Sequence, residues 1–341
     1  MRESSPLIAG YDPVMLDLDG VVYVGDRAVP HAAEVLDELR AGGTRLAYVT
    51  NNASRTPDHV VKRLASVGVT AVHDDVVTSA QAVARLVAEQ LPTSAPVLLV
   101  GGDGLRQALS ENGLRLVADA DSGPEAVVQG FSDTLDWSML AEGAYAIRAG
   151  VPWFASNADL TVPTERGYAP GNGALVAALE AATGERPVVA GKPEPALFHE
   201  TMLRLGGDRP VVIGDRLDTD IAGANRVDAD SVCVLTGVSD LTDIARASTD
   251  LRPTYVVPDL RALTRPAPSV VRDAEWFVCG RVRVRVNAGH VELEGPSGPG
   301  ADDPYDDATS IVQAILAASD GVNGDELDVS AAAKTADDLM R

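Results

Sequence analysis

Val14-Met15-Leu16-Asp17-Leu18-Asp19-Gly20-Val21-Val22-Tyr23 sets two carboxylates one residue apart at the end of a short apolar run. Bounded by Pro13 and Gly20, a run of this length reads as a strand buried on both faces of a parallel sheet. Side chains alternate along a strand, so Asp17 and Asp19 project to the same side where the strand opens into a loop. A carboxylate so placed is costly unless a cation or hydrogen bonds compensate, and the pair therefore calls for a partner. The plainer alternative is a strand that stops at Asp17 and leaves both acids in water.

Residues 21–30 read as a tight flap. Residues 31–40 form a helix whose Val35, Leu36 and Leu39 share a face, stopped by Gly42 and Gly43. A second short strand at 44–49 runs into Thr50-Asn51-Asn52-Ala53-Ser54-Arg55, after which Thr56-Pro57 opens a helix with a cap residue and a proline at its first position. Strand, helix, strand, helix is the rhythm of a doubly wound α/β sheet, in which ligands sit beyond the carboxyl ends of the strands. From 78 to 186 the pattern stays α/β without a matching acid motif. It includes a glycine-rich loop, Gly167-Tyr168-Ala169-Pro170-Gly171-Asn172-Gly173, that leads into a helix, and it reads as an inserted domain. Trp137 and Trp153 read as core residues there. The sheet rhythm resumes at 187–190, followed by Gly191-Lys192-Pro193, and again at 210–213, followed by Gly214-Asp215-Arg216-Leu217-Asp218-Thr219-Asp220. It closes near Leu263.

Arg265-Pro266-Ala267-Pro268 reads as a linker. Beyond it, one strand at 278–286 alternates Val282, Val284 and Val286 with Arg281, Arg283 and Arg285. It turns through Asn287-Ala288-Gly289 into a second strand, which makes a hairpin with one apolar and one cationic face. A connection rich in glycine, proline and aspartate then leads to one helix at 309–318 and a polar tail.

Composition narrows the function. At 341 residues there is chain enough for two cores, and 45% hydrophobic with 23% charged residues is globular usage. No apolar stretch reaches the 18 or so residues of a membrane span, and no secretory leader pattern precedes Gly10, so a cytoplasmic protein is expected. Cys233 and Cys279 have no metal-type spacing. A formal net charge of −22 argues against nucleic acid or an anionic membrane as partner and suits a divalent cation. Of the 28 basic residues only Lys62, Lys192 and Lys334 are lysine, so a lysine directly after a buried run marks a place where a compact point charge is required.

Four strand ends thus carry Asp17 and Asp19, Thr50 and Asn51, Lys192, and Asp215 with Asp220. In this order they resemble the four motifs of the haloacid dehalogenase superfamily, over a span from Val14 to about Leu263. The insertion, Val21-Val22-Tyr23 and Thr50-Asn51-Asn52-Ala53-Ser54-Arg55 resemble the phosphoglycolate and pyridoxal phosphatase branch with a large α/β cap. Within that branch the chain is most similar to the glycerol 3-phosphate phosphatases of actinobacteria. The resemblance implies a doubly wound, mostly parallel Rossmann-like core (1–77 and 187–264), an inserted α/β cap (78–186) and a small C-terminal α+β extension (265–341). It implies a Mg²⁺-dependent phosphomonoesterase acting through an aspartyl phosphate on a small phosphorylated metabolite, with glycerol 3-phosphate first and phosphoglycolate as the alternative. In these terms Asp17 is the nucleophile and Asp19 the general acid and base. Thr50 and the Asn51 amide hold phosphate together with Lys192. Asp17, the Asp19 backbone carbonyl and Asp215 bind Mg²⁺, and Asp220 orients Lys192 or a metal-bound water. With four acids against one lysine, a phosphate dianion meets a net −3 until the cation is added. Asn157, Asp159, Arg166, Gly171, Asn172 and Gly173 are the cap candidates for contact with the leaving group; for each, a plain turn-forming role is the competing reading. Caps of this branch often pair, which brings a homodimer into consideration, although no apolar seam is evident.

Two other classes are weighed. A phospho-receiver module uses strand-end aspartates, a lysine and Mg²⁺, but it predicts neither a cap nor Asp19. Residues 265–341 weakly resemble a fragment of the N-acetyltransferase fold. Asp302, Asp303, Asp306 and Asp307 before its helix would repel a cofactor pyrophosphate, so a structural or interface addition without acyltransfer activity is expected, with Arg281, Arg283 and Arg285 facing acidic surface.

Overall fold

The computed structural model describes residues 5–164, 166–295, 304–320 and 327–340. Two compact units emerge, one from residues 1–46 with 208–341 and the other from residues 47–207.

In the first unit, four strands lie parallel in the order Tyr255–Val257, Asp230–Val234, Val211–Gly214 and Val14–Leu16. Val14, Leu16, Val211, Ile213, Val232 and Val234 have no exposed surface, so these strands are covered on both faces, as their unbroken apolar runs require. The helix Ala32–Ala41 buries Val35, Leu36 and Leu39, the face expected from the sequence. The flap is a two-stranded hairpin, Tyr23–Val24 with Arg27–Ala28.

The C-terminal segment is larger than the hairpin, helix and tail read from the sequence. It is a four-stranded antiparallel sheet, in the order Val270–Asp273, Trp276–Cys279, Val282–Asn287 and His290–Glu294, with two helices, Pro304–Ala318 and Ser330–Met340. The single strand expected over 278–286 is two, because Gly280 takes a positive φ of 55° and turns the chain. The tail is helical at its end and buries Ala332 and Ala336. Val282 and Val284 are buried as the alternation requires. The cationic face is paired within the segment, Arg281 with Asp307, Arg283 with Asp273 and Glu294, and Arg285 with Glu275 and Glu292. Asp302 and Asp303 lie outside the described residues. One apolar cluster joins Ile311, Val312, Ile315, Val329 and Ala332 of the extension to Leu217, Ile221, Cys233, Leu241 and Ile244 of the parallel layer, so the extension shares a core with it.

In the second unit, five parallel strands run in the order Val188–Val189, Trp153–Ala155, Ala126–Gln129, Pro96–Val100 and Arg115–Val117. Leu98, Val100, Val127 and Trp153 pack with Ala146 and Ile147 of the helix Trp137–Arg148 and with Val176 and Leu179 of the helix Asn172–Thr183. Trp153 is core as expected. Trp137 is 77% exposed, being the first residue of its helix on the outer side. Leu46–Thr50 and Val76–Thr78 pair in parallel. Thr56 caps the helix Pro57–Ser66 by accepting from the His59 amide, as its Thr-Pro start predicts. The loop expected at 167–170 is a strand, Gly167–Pro170, antiparallel to Thr161–Thr164.

Among the described residues no helix is long and apolar enough to cross a membrane.

Candidate active site

The first unit brings three of the expected acids together. Asp17 follows the strand Val14–Leu16 and Asp215 follows its neighbour Val211–Gly214. The Asp17 amide donates to the Ile213 carbonyl at 2.9 Å, which extends the pairing to the carboxylates. Asp220 is carried round by a single π-helical turn, Leu217–Ile221. Ligand oxygens of Asp17, Asp215 and Asp220 all lie within 4.8 Å of one another, with Asp215 and Asp220 buried and Asp17 half-buried. Asp19 stands beside them in sequence and is itself exposed, in a loop whose Leu18, Gly20, Val21 and Val22 are buried. There the Leu18 carbonyl accepts from the Val22 and Tyr23 amides at 2.9 and 3.1 Å, and the Gly20 amide donates to the Tyr23 carbonyl at 2.8 Å. Asp220, which the resemblance places outside the metal shell, is thus grouped with the two expected carboxylate ligands.

Close approach explains the glycines. Gly20 has φ +83°, and a Cβ on it would sit 2.3 Å from the Asp215 Oδ2. A Cβ on Gly214 would lie 2.2 Å from the Asp220 Cβ. Asp215 is cradled: its Oδ2 accepts from the Val238 amide at 2.7 Å and its carbonyl from the Ser239 amide at 3.0 Å. The Asp220 Oδ2 accepts from the Arg216 amide at 3.2 Å. The field these acids generate reaches Cys233. Burial first, and then the charges of Asp215 and Asp220, push its thiol far above the usual range.

Three carboxylates this close, two of them buried, repel one another unless a cation joins them. All-oxygen donors whose ligand atoms lie within about 5 Å of one another suit a hard divalent ion such as Mg²⁺. The donor set therefore fits the expected metal.

The second unit assembles the other half of the motif set around Asn51. Thr50 is buried at the end of its strand and its Oγ1 accepts from the Asn52 amide at 3.1 Å. The Asn51 Oδ1 accepts from the Lys192 amide at 2.7 Å, while its Nδ2 donates to the Lys192 carbonyl at 3.0 Å and to the Asp159 Oδ1 at 3.2 Å. Lys192 is 4% exposed, and its Nζ donates to the Val49 carbonyl at 3.3 Å. Apart from the phosphate contact expected of its backbone amide, the Asn51 side chain ties down the loop that carries Lys192.

The cap candidates divide. Asn157 and Asn172 are buried and bonded to backbone: the Asn157 Nδ2 donates to the Asn51 carbonyl at 2.7 Å, and the Asn172 Nδ2 donates to the Asn157 carbonyl at 2.7 Å. Gly171 and Gly173 permit close chain contact, since a Cβ would lie 2.3 Å from the Asp159 carbonyl oxygen and 2.2 Å from that of Ala158, respectively. Arg166 is exposed in the turn of the 161–170 hairpin, away from this network, with its amide on the Thr164 Oγ1 at 3.3 Å. The segment Thr236 to Ser239 carries no charged mark in the sequence. It follows the buried strand Asp230–Val234 and so carries the same positional signal as the other four strand ends.

Parallel strands that carry clustered acids at their carboxyl ends in one unit, and a threonine and a lysine at strand ends in the other, define a doubly wound α/β protein. The chain matches the family model of the haloacid dehalogenase-like hydrolases over residues 14–115, and a second, HAD-hydrolase-like model over 189–263. It is 45% identical over 313 residues, 90% of this chain and 85% of the other, to the D-glycerol 3-phosphate phosphatase of Mycobacterium tuberculosis. It is 36% identical to the acid sugar phosphatase of Staphylococcus saprophyticus, over 75% of this chain and 97% of that one. The crystal structure of the glycerol phosphate phosphatase from Mycobacterium tuberculosis in complex with magnesium superposes with a TM-score of 0.81 at 43% identity, covering 92% of both chains. The p-nitrophenyl phosphatase from Archaeoglobus fulgidus gives 0.69 at 30% identity, over 75% of this chain and 99% of that one. The chain belongs to the haloacid dehalogenase-like hydrolase family.

Proposed function

We propose that the protein is a Mg²⁺-dependent phosphomonoesterase that hydrolyses glycerol 3-phosphate. The observation that carries the reaction is the Asp17, Asp215 and Asp220 cluster at neighbouring strand ends. The choice of substrate rests on the 45% identity to a D-glycerol 3-phosphate phosphatase over most of both chains.

Phosphate monoesters are among the slowest reactions to hydrolyse unaided, so about 20 kcal/mol of barrier lowering is required, mostly from positioning and charge neutralisation. In the proposed sequence the Asp17 carboxylate attacks phosphorus and the ester P–O bond breaks. The Asp19 carboxyl gives its proton to the departing alkoxide, which leaves as glycerol. Asp19, now a carboxylate, takes a proton from water; the hydroxide attacks the aspartyl phosphate, the bond to Asp17 breaks and inorganic phosphate departs. An exposed loop position suits Asp19 for exchanging protons with leaving group and water. Mg²⁺, when bound by Asp17, Asp215 and the Asp19 carbonyl, with Asp220 beside them, supplies the positive charge that lets a phosphate dianion approach four acids. The Thr50 hydroxyl and the Asn51 amide hold phosphoryl oxygens, and Lys192 offsets their charge. Residues 78–186 act as the cap that sets the leaving group, with Asn157 and Asp159 the candidates among its loops that bond Asn51 directly.

The test is a panel of small phosphate esters ranked by kcat/KM with Mg²⁺. Glycerol 3-phosphate is expected to lead. Phosphoglycolate in first place would overturn the substrate, and absence of turnover on every ester would overturn the enzyme reading.

A further inference from the structure

Four hydrogen bonds from one short segment converge on the two loops that carry the acids. The Thr236 hydroxyl donates to the Gly20 carbonyl at 2.6 Å. The Val238 amide donates to the Asp215 Oδ2 at 2.7 Å. Between them a Cβ on Gly237 would fall 1.9 Å from that same Oδ2, so residue 237 closes directly over the carboxylate and only glycine fits there. Ser239 completes the hold, its amide on the Asp215 carbonyl at 3.0 Å and its hydroxyl accepting from the Leu217 amide at 3.2 Å.

Resting on the metal reading above, we propose that Thr236, Gly237 and Val238 form a positioning clip that fixes the loop around Asp19 and Gly20 against Asp215 and so sets the geometry of the cation site. Thr236 is a positioning residue that acts through the Gly20 carbonyl. The peptide plane between Asp19 and Gly20 is pinned on one side by the Gly20 amide on Tyr23, and the next plane is pinned by Thr236 on the Gly20 carbonyl. Rotation of Gly20 would otherwise cost little, because glycine lacks the Cβ that restricts φ and ψ. The clip has a firm seat. It runs directly into the helix Leu241–Arg246, whose Leu241, Ile244 and Ala245 lie in the apolar cluster shared with the C-terminal helices. Groups that orient metal ligands typically contribute 10- to 100-fold to metal affinity.

Calorimetric titration with Mg²⁺ alone, without substrate, tests this. Thr236→Val removes the hydroxyl and keeps the shape; Mg²⁺ is expected to bind about 10-fold more weakly. Thr236→Ser restores the donor and is expected to bind within about twofold of wild type, a rescue that a packing role would not give. Thr236→Ala repeats the measurement should the valine variant fail to fold. Wild-type affinity in Thr236→Val or Thr236→Ala, or a serine variant as impaired as the valine one, overturns the clip. Asp215→Asn separates this from the metal reading: it is expected to abolish the binding signal. If it binds Mg²⁺ as wild type does, the cation assignment itself is overturned.

Discussion

Replacing Asn51 with alanine removes two hydrogen bonds to the backbone of Lys192 and one to Asp159. The Lys192 amide and carbonyl then each lose this hydrogen bond, in a residue that is 4% exposed. Each hydrogen bond contributes roughly 1 kcal/mol net, and each buried group left unmade costs about 1–3 kcal/mol. Partial relaxation offsets some of this, so a loss of about 2–4 kcal/mol is expected. Chemical denaturation followed by tryptophan fluorescence reports it, because Trp153 lies in the core of the same unit. Activity should fall further than stability alone explains. The Lys192 ammonium is reached through the loop Asn51 ties down, and a misplacement of about 1 Å costs about 100-fold in rate. The expected result is a folded enzyme with kcat reduced about 100-fold at 20 °C. If the variant keeps wild-type kcat and unfolds at the wild-type denaturant midpoint, Asn51 does not position the lysine and the reasoning fails.

Gly214→Ala would place a Cβ 2.2 Å from the Asp220 Cβ, whereas carbon atoms rest about 3.5–4 Å apart, so Asp220 must move by more than 1 Å; kcat/KM on any ester should drop by at least about 100-fold. Chelation with EDTA should abolish turnover and lower Tm, and Mg²⁺ at about 100 times its Kd should return about 2.7 kcal/mol of stability; a Tm indifferent to Mg²⁺ would contradict the three-carboxylate site. Burial raises the thiol pKa of both Cys233 and Cys279, so little thiolate exists at pH 8. Iodoacetamide should leave both unmodified in the folded protein and alkylate both in guanidinium, as mass spectrometry would read.

The parallel core and its acids were legible because each charged or hydroxyl side chain interrupts a buried apolar run at its end. Asp17, Thr50, Lys192 and Asp215 are conspicuous against Val and Leu, and the chain holds few lysines to confuse the pattern. What stayed hidden lacks such contrast. Thr161-Val162-Pro163-Thr164 forms a strand with three of its four residues exposed, so no alternation marks it. The terminal helix Ser330–Met340 buries the small side chains of Ala332 and Ala336 and half-buries Leu339, too few large apolar residues to register as a face. Trp137 was misplaced because an aromatic residue at a helix start looks like core until the direction of that helix is known. The Thr236 to Ser239 segment holds Asp215 through the backbone amides of Val238 and Ser239, and every residue but proline carries one; only the fold aims them.

The apolar seat beneath the C-terminal extension bears on how such chains diverge. Leu217, Ile221, Leu241 and Ile244 lie under Ile311, Ile315 and Val329, so neither layer tolerates water in place of the other. The staphylococcal acid sugar phosphatase aligns with only 75% of this chain over nearly its whole length. A homologue without the appendage must carry hydrophilic side chains at the positions of the seat, or conceal them under a second subunit. Acquisition of the extension and conversion of the seat are therefore coupled steps. A chimera that transplants one without the other should aggregate, and surviving lineages should show both changes together.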